Sequence, residues 1–271
     1  MEKQAIQHLQ ITSNIPAIME GVQAATSEKP FVAVPHDFDI KNIESLMPNA
    51  QRYRLGFKTK SIADFLKYNK KFDAEGATCF VDSSDMNALT IFDLGTIELP
   101  LHKQHKADLS LEKTAAFNAF LRYDGEKISQ KAASDFLEDW EDHIVVVGQT
   151  GSEMNVKAAA AALRDLTIET ARSLNSKVED FGAQMSAMEQ IEAKSKGELP
   201  SIIQFKCVPY FGLSERVLTM RVSILTGGDK PTLVLRALKL ETVLEEVAEE
   251  FKGLIEDGLK DDQIETFIGR C

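Results

Sequence analysis

At 271 residues, 44% apolar and 27% charged, the chain can bury a full hydrophobic core as one large domain or two modest ones. Its formal charge of −11 argues against tight binding to duplex DNA, because a surface that follows phosphates needs clustered lysine and arginine. Cys79, Cys207 and Cys271 are odd in number and far apart, which supports neither a zinc ribbon nor a disulfide framework.

The opening "MEKQAIQHLQITSN" lacks the apolar core of a signal peptide, and no run of 18 apolar residues follows. The reading is a protein of the reducing cytoplasm with no membrane span. Residues 1–28 read as a short polar helix and arm, and "KPFVAVP" as an edge strand held between Pro30 and Pro35. "RYRLGFKTK" reads as an amphipathic strand whose basic face carries Arg52, Arg54, Lys58 and Lys60. In "KSIADFLKYNKKF", Ser61 is placed to cap a helix bearing Ile62, Phe65, Leu66 and Phe72 on one face. "TCFVDSSDMNALTIFDL" then reads as a hairpin around the turn "DSSD".

Further on, Ser110 is expected to cap a helix through Leu111, Ala115, Phe117 and Leu121, stopped by Asp124-Gly125. A second helix restarts at Ser129 and carries Ala133, Phe136, Leu137 and Trp140, so the two predict a helical hairpin with Trp140 in its core. The stretch from Glu153 to Lys194 has helical spacing throughout, with Met185 and Met188 on its apolar stripe. Three strands are expected in "SIIQFKCVPYF", "RVLTMRVSIL" and "TLVLRALKL". A final amphipathic helix has Val247, Phe251 and Ile255 on its apolar side. Residues 239–271 hold ten acids against four bases, so most of the net charge lies there, as a solvated face or a docking surface. These elements predict an α+β protein: antiparallel sheet segments in both halves with packed helices, a long central helical region and a C-terminal amphipathic helix. A domain division of 1–28, 29–150 and 151–271 fits them.

No motif assigns a reaction. His102 and His105 in "LHKQHKAD" could share a helix face, but no H-E-x-x-H exists and Lys103 and Lys106 would repel a cation. "GQTGS", residues 148–152, follows an apolar run as a phosphate-binding turn would, yet lacks the lysine of a P-loop. Glu192 and Lys194 form an E-x-K, with Asp180 as a candidate upstream carboxylate for Mg²⁺, as in a restriction-type nuclease core. That core needs a strand, and here the surrounding pattern is helical. No catalytic, cofactor or metal site is therefore assigned.

The ordered set of "FVAVPHDFDIKNIESLMP", "SIADFLKYNKKF", the "TCFVDSSDMNALTIFD" hairpin, the middle stretch from His105 to Val145 and "LPSIIQFKCVPYFG" resembles the YfdQ-like family of phage and prophage proteins. The resemblance spans roughly residues 30–260. It implies no reaction or catalytic residue, only the company of early phage genes for recombination, replication support and anti-defence. In it His105 falls at the entry to the middle helices, which suggests a structural or interface histidine. Together with the acidity, this predicts a non-enzymatic protein-binding factor with a host or phage protein as partner. The Met185–Met188 stripe and the Phe251 helix are candidate surfaces for a homo-oligomer. The alternatives are a nucleic-acid enzyme or recombination accessory using Asp180, Glu192 and Lys194, and a nucleotide-sequestering protein using "GQTGS".

Overall fold

The helix begun at Ser61 shows how local chemistry sets the first half of the chain. In the computed structural model, the Ser61 hydroxyl oxygen accepts from the Asp64 backbone N–H at 3.2 Å. Helix α1 then runs Ile62–Lys71 and ends with two lysines at the negative end of its dipole. The structure describes residues 48–167, 198–225 and 231–271, with the single positions 16 and 44. Contacts divide the chain into units of residues 1–53 and 54–271, and every element named below lies in the second. The strand read in "KPFVAVP" lies outside the described residues, as do Asp180, Met185, Met188, Glu192 and Lys194.

The fold is α+β, with two sheets. The first takes β1 (Gly56–Thr59), β2 (Thr78–Asp82), β3 (Asn87–Ile91), β4 (Lys106–Ser110) and the late strand β11 (Glu265–Ile268), in the order β1-β4-β3-β2-β11. Its two outer pairs are parallel and its inner pairs antiparallel. The β2–β3 turn is the expected "DSSD". The Asp82 carboxylate accepts from the N–H groups of Ser84 at 3.1 Å and Asp85 at 3.3 Å, and pairs with Arg270 beyond β11. The Ser84 hydroxyl, with these partners, holds the Asp82 carboxyl below its usual range.

The second sheet is antiparallel throughout. It orders β5 (Lys127–Ser129), β10 (Thr232–Leu238), β9 (Arg216–Leu225), β8 (Pro200–Cys207), β6 (Ile144–Gly148) and β7 (Glu153–Met154) as β5-β10-β9-β8-β6-β7. Helices α2 (Ala115–Tyr123), α3 (Gln130–Asp139) and α4 (Val156–Arg164) supply the other side of its core.

Three local expectations change. The cap of α2 is Thr114, whose hydroxyl oxygen accepts from Phe117 N–H at 3.2 Å, because Ser110 is held in β4 opposite Asn87. The α2–α3 link is no helical hairpin. Gly125 N–H donates to Leu235 O at 2.7 Å and Asp124 Oδ1 accepts from Ala237 N–H at 2.7 Å, so β10 draws the link into the sheet as β5. Glu153 and Met154 pair with β6 instead of opening a helix, and Asn155 caps α4 behind them.

The closing helix α5 (Leu240–Leu259) joins the two cores. Its Leu240, Val243 and Leu244 pack on the second sheet's core, around Phe120, Phe136 and Phe205. Its Val247, Phe251, Ile255 and Leu259 enter the first, with Phe65, Val81 and Leu109. A Cβ on Gly258 would come within 2.5 Å of the Leu66 side chain, so a bare backbone there permits the close approach of α5 to α1. Among the described residues no helix is long and apolar enough to cross a membrane.

Candidate functional site

Strand β3 does not turn directly into β4; the chain first leaves the sheet as an irregular hairpin. Phe92 N–H donates to His105 O at 3.0 Å, Lys103 N–H to Asp93 O at 3.2 Å and Leu101 N–H to Leu94 O at 3.2 Å. At the tip, Thr96 N–H donates to Leu99 O at 3.1 Å and the Thr96 hydroxyl accepts from Leu99 N–H at 3.1 Å. Gly95 sits at φ +77°, and a Cβ there would lie 2.3 Å from Leu99 O. Only glycine closes this turn without distortion. The result is a hydrogen-bonded prong whose tip presents Ile97 at 96%, Leu99 at 69% and Leu101 at 44% exposure.

Its stem is the opposite in character. The Asp93 carboxylate accepts from Gln104 N–H and His105 N–H, both at 2.9 Å. The buried His105 ring lies 4.4 Å from Phe92 and 4.7 Å from Phe72 between centroids, and its Nε2 is 3.1 Å from the Tyr68 hydroxyl. Tyr68 in turn stacks on Phe57 at 4.4 Å. This nest fixes the direction of the prong through α1 and β1. Basic side chains stand beside it: Arg54 Nε donates to Gln104 Oε1 at 3.1 Å, and Lys71 lies 5.3 Å over the Phe72 ring.

Burial pushes the His105 imidazole below its ordinary 6.5, against a weaker opposing pull from Asp93. A folded pKa below the unfolded one means that the unfolded chain binds the proton more readily. The stabilisation by neutral His105 is therefore complete above about pH 6.5 and is lost as pH falls through that value towards the folded pKa. We expect amide exchange in residues 92–105 to accelerate below pH 6, corrected for intrinsic rates, and a His105→Gln variant to lose that pH dependence.

The other residues singled out by sequence are dispersed. Trp140 is half-buried as the C-cap of α3, 5.8 Å from Phe205, and Phe251 is fully buried in the first core. His102 is exposed near the prong. Among the described residues no group of three or more His, Cys, Asp or Glu is placed to hold a metal ion. In "GQTGS" the N–H groups of Gly148, Thr150 and Gly151 are already engaged. Glu198 Oε1 accepts from Thr150 N–H at 3.0 Å and from its hydroxyl at 2.6 Å, which holds the Glu198 carboxyl below its usual range. A phosphate would have to displace that carboxylate. Sequence reasoning passed over Ile97, Leu99 and Leu101, although their alternation between Gly95 and His102 was a visible signal. What it could not show is that this alternation faces water.

Fold and site together define a two-sheet α+β protein that carries an apolar hairpin on an aromatic, histidine-containing stem. The chain belongs to the family of uncharacterized conserved proteins DUF2303, whose model matches residues 2–271. No curated protein and no solved structure matches it.

Proposed function

We propose that this chain is a non-enzymatic, oligomeric protein-binding factor of the YfdQ-like phage and prophage proteins, acting in the host cytoplasm on a host or phage protein. An anti-defence or host-modulating role is the form of that activity the phage context favours. The observation that carries the reading is the prong: Ile97 and Leu99 stand almost bare in water on a backbone closed by its own hydrogen bonds. Burying two such side chains in a partner's apolar pocket supplies about 3–6 kcal/mol. A preformed turn also loses little entropy on docking.

The test is a photo-crosslinking residue at position 97 in cells carrying the phage. The expected result is one covalent adduct with a single host or phage polypeptide, absent when the crosslinker stands at exposed Glu126. Ile97→Ser with Leu99→Ser should weaken binding of that polypeptide about 100-fold, the equivalent of about 3 kcal/mol. No adduct, or unchanged affinity in the double variant, would overturn the reading.

A further inference from the structure

The second sheet has one face covered by α2, α3 and α4, where Ile203, Phe205, Leu218, Met220, Leu233 and Leu235 are buried. On the other face Arg221 of β9 stands directly opposite Arg236 of β10. Lys127 of β5 shares this side, since it lies opposite Val234, two residues from Arg236. All three cations are exposed, and neither arginine has an ion-pair partner among the described residues. Like charges facing each other across two strands are destabilising. The facing and neighbouring strand positions, Ile202, Thr219, Val234 and Leu238, offer no carboxylate to relieve them, and the Asp124 carboxylate at the β10 edge is engaged by Ala237 N–H at 2.7 Å.

The opposite problem stands on α5. Glu241, Glu245 and Glu249 repeat at four-residue spacing on its exposed side, and among the described residues only Glu249 has an ion-pair partner, Lys252 at 3.2 Å. Acids spaced by four along a helix also repel. Within one molecule the two clusters cannot neutralise each other. Leu240, Val243 and Leu244 tie α5 to the core of the second sheet, which lies on the side away from Arg221 and Arg236. A second copy meets no such restriction.

We propose that the chain assembles head to tail, with the Arg221–Arg236 face of one copy seated on the Glu241–Glu245–Glu249 stripe of the next. Guanidinium forks suit carboxylates, which they bind through paired, charge-assisted hydrogen bonds. Because the two surfaces differ, the contact is heterologous and extends to a ring or a filament. A second copy is favoured over nucleic acid because this face carries no aromatic side chain for base stacking and the chain's charge is −11. The assignment rests on the oligomer proposed above but not on the prong.

Sedimentation velocity of the full chain tests it. At low salt the wild type should sediment as an assembly and dissociate towards monomer at about 1 M salt, where the Debye length is about 3 Å. The variant R221E/R236E and the variant E241R/E245R/E249R should each be folded by circular dichroism yet monomeric. Their mixture should recover the wild-type assembly, since each supplies the charge that the other has reversed. A monomeric wild type, an R221E/R236E variant that still assembles, or a mixture that stays monomeric would each overturn the proposal. So would a monomeric wild type that shifts oligonucleotides through Arg221 and Arg236. Ile97→Ser with Leu99→Ser should leave assembly intact. If that pair abolishes it instead, the prong is the self-contact and this assignment fails.

Discussion

Replacing Phe251 by alanine should lower the unfolding free energy by about 3–5 kcal/mol, the range for a fully buried phenylalanine whose cavity cannot collapse. Phe251 is at 0% exposure and sits on the stretch of α5 that enters the first core beside Val247 and Ile255. Relaxation is restricted on both sides of it. Towards the C-terminus, the close approach at Gly258 and Leu66 holds α5 near α1; towards the N-terminus, Leu240 and Val243 anchor it in the second core. The measurement is urea unfolding followed by far-ultraviolet circular dichroism and by the fluorescence of Trp140, the only tryptophan. Trp140 packs against the second core, so it reports on a region that Phe251 does not enter. Because one helix crosses both cores, the two signals should shift to lower urea together. Separate transitions would mean that α5 does not couple them.

The second large effect is expected from Phe205→Ala, also about 3–5 kcal/mol. Phe205 is the hub of an aromatic group: Phe120, Phe136 and Trp140 each lie 5.8 Å from it, and His143 stacks on it at 5.7 Å. Its loss leaves a void bounded by rigid rings from α2, α3 and the turn that follows α3, which cannot fill it by rotamer changes alone. His143 should also loosen, although its Nδ1 keeps a 2.8 Å contact with Lys206 O. Near-ultraviolet dichroism should fall more in this variant than in Phe251→Ala, because its perturbation touches Trp140 directly.

The sequence alone disclosed most of the elements, for reasons that are local. Ser61 and Ser129 each cap a helix with their own side chain, and "DSSD" folds back on the Asp82 carboxylate. Alternation in "RVLTMRVSIL" marked β9 because its inner side, Leu218 and Met220, is buried as alternation requires. Elements that depend on a distant partner were not legible. β5 exists because β10 accepts it, and β11 because β2 offers a parallel edge. Neither segment has a long apolar pattern of its own. The candidate site divides the same way: His105 was noticed by composition, but the nest of Phe57, Tyr68, Phe72 and Phe92 around it is assembled from three segments, β1, α1 and the end of β3.

By itself, then, the sequence determined that this is an acidic α+β protein with capped helices and amphipathic strands, because caps and periodicity act over a few residues. Tertiary structure decided which apolar residues are used inside and which are left outside. Ile97 and Phe251 are both large and apolar; only the path of the chain makes one a bare hairpin tip and the other the centre of a core. It also decided that Arg221 faces Arg236, since strand register, and with it the charge of the open sheet face, is set by pairing between segments and not within them.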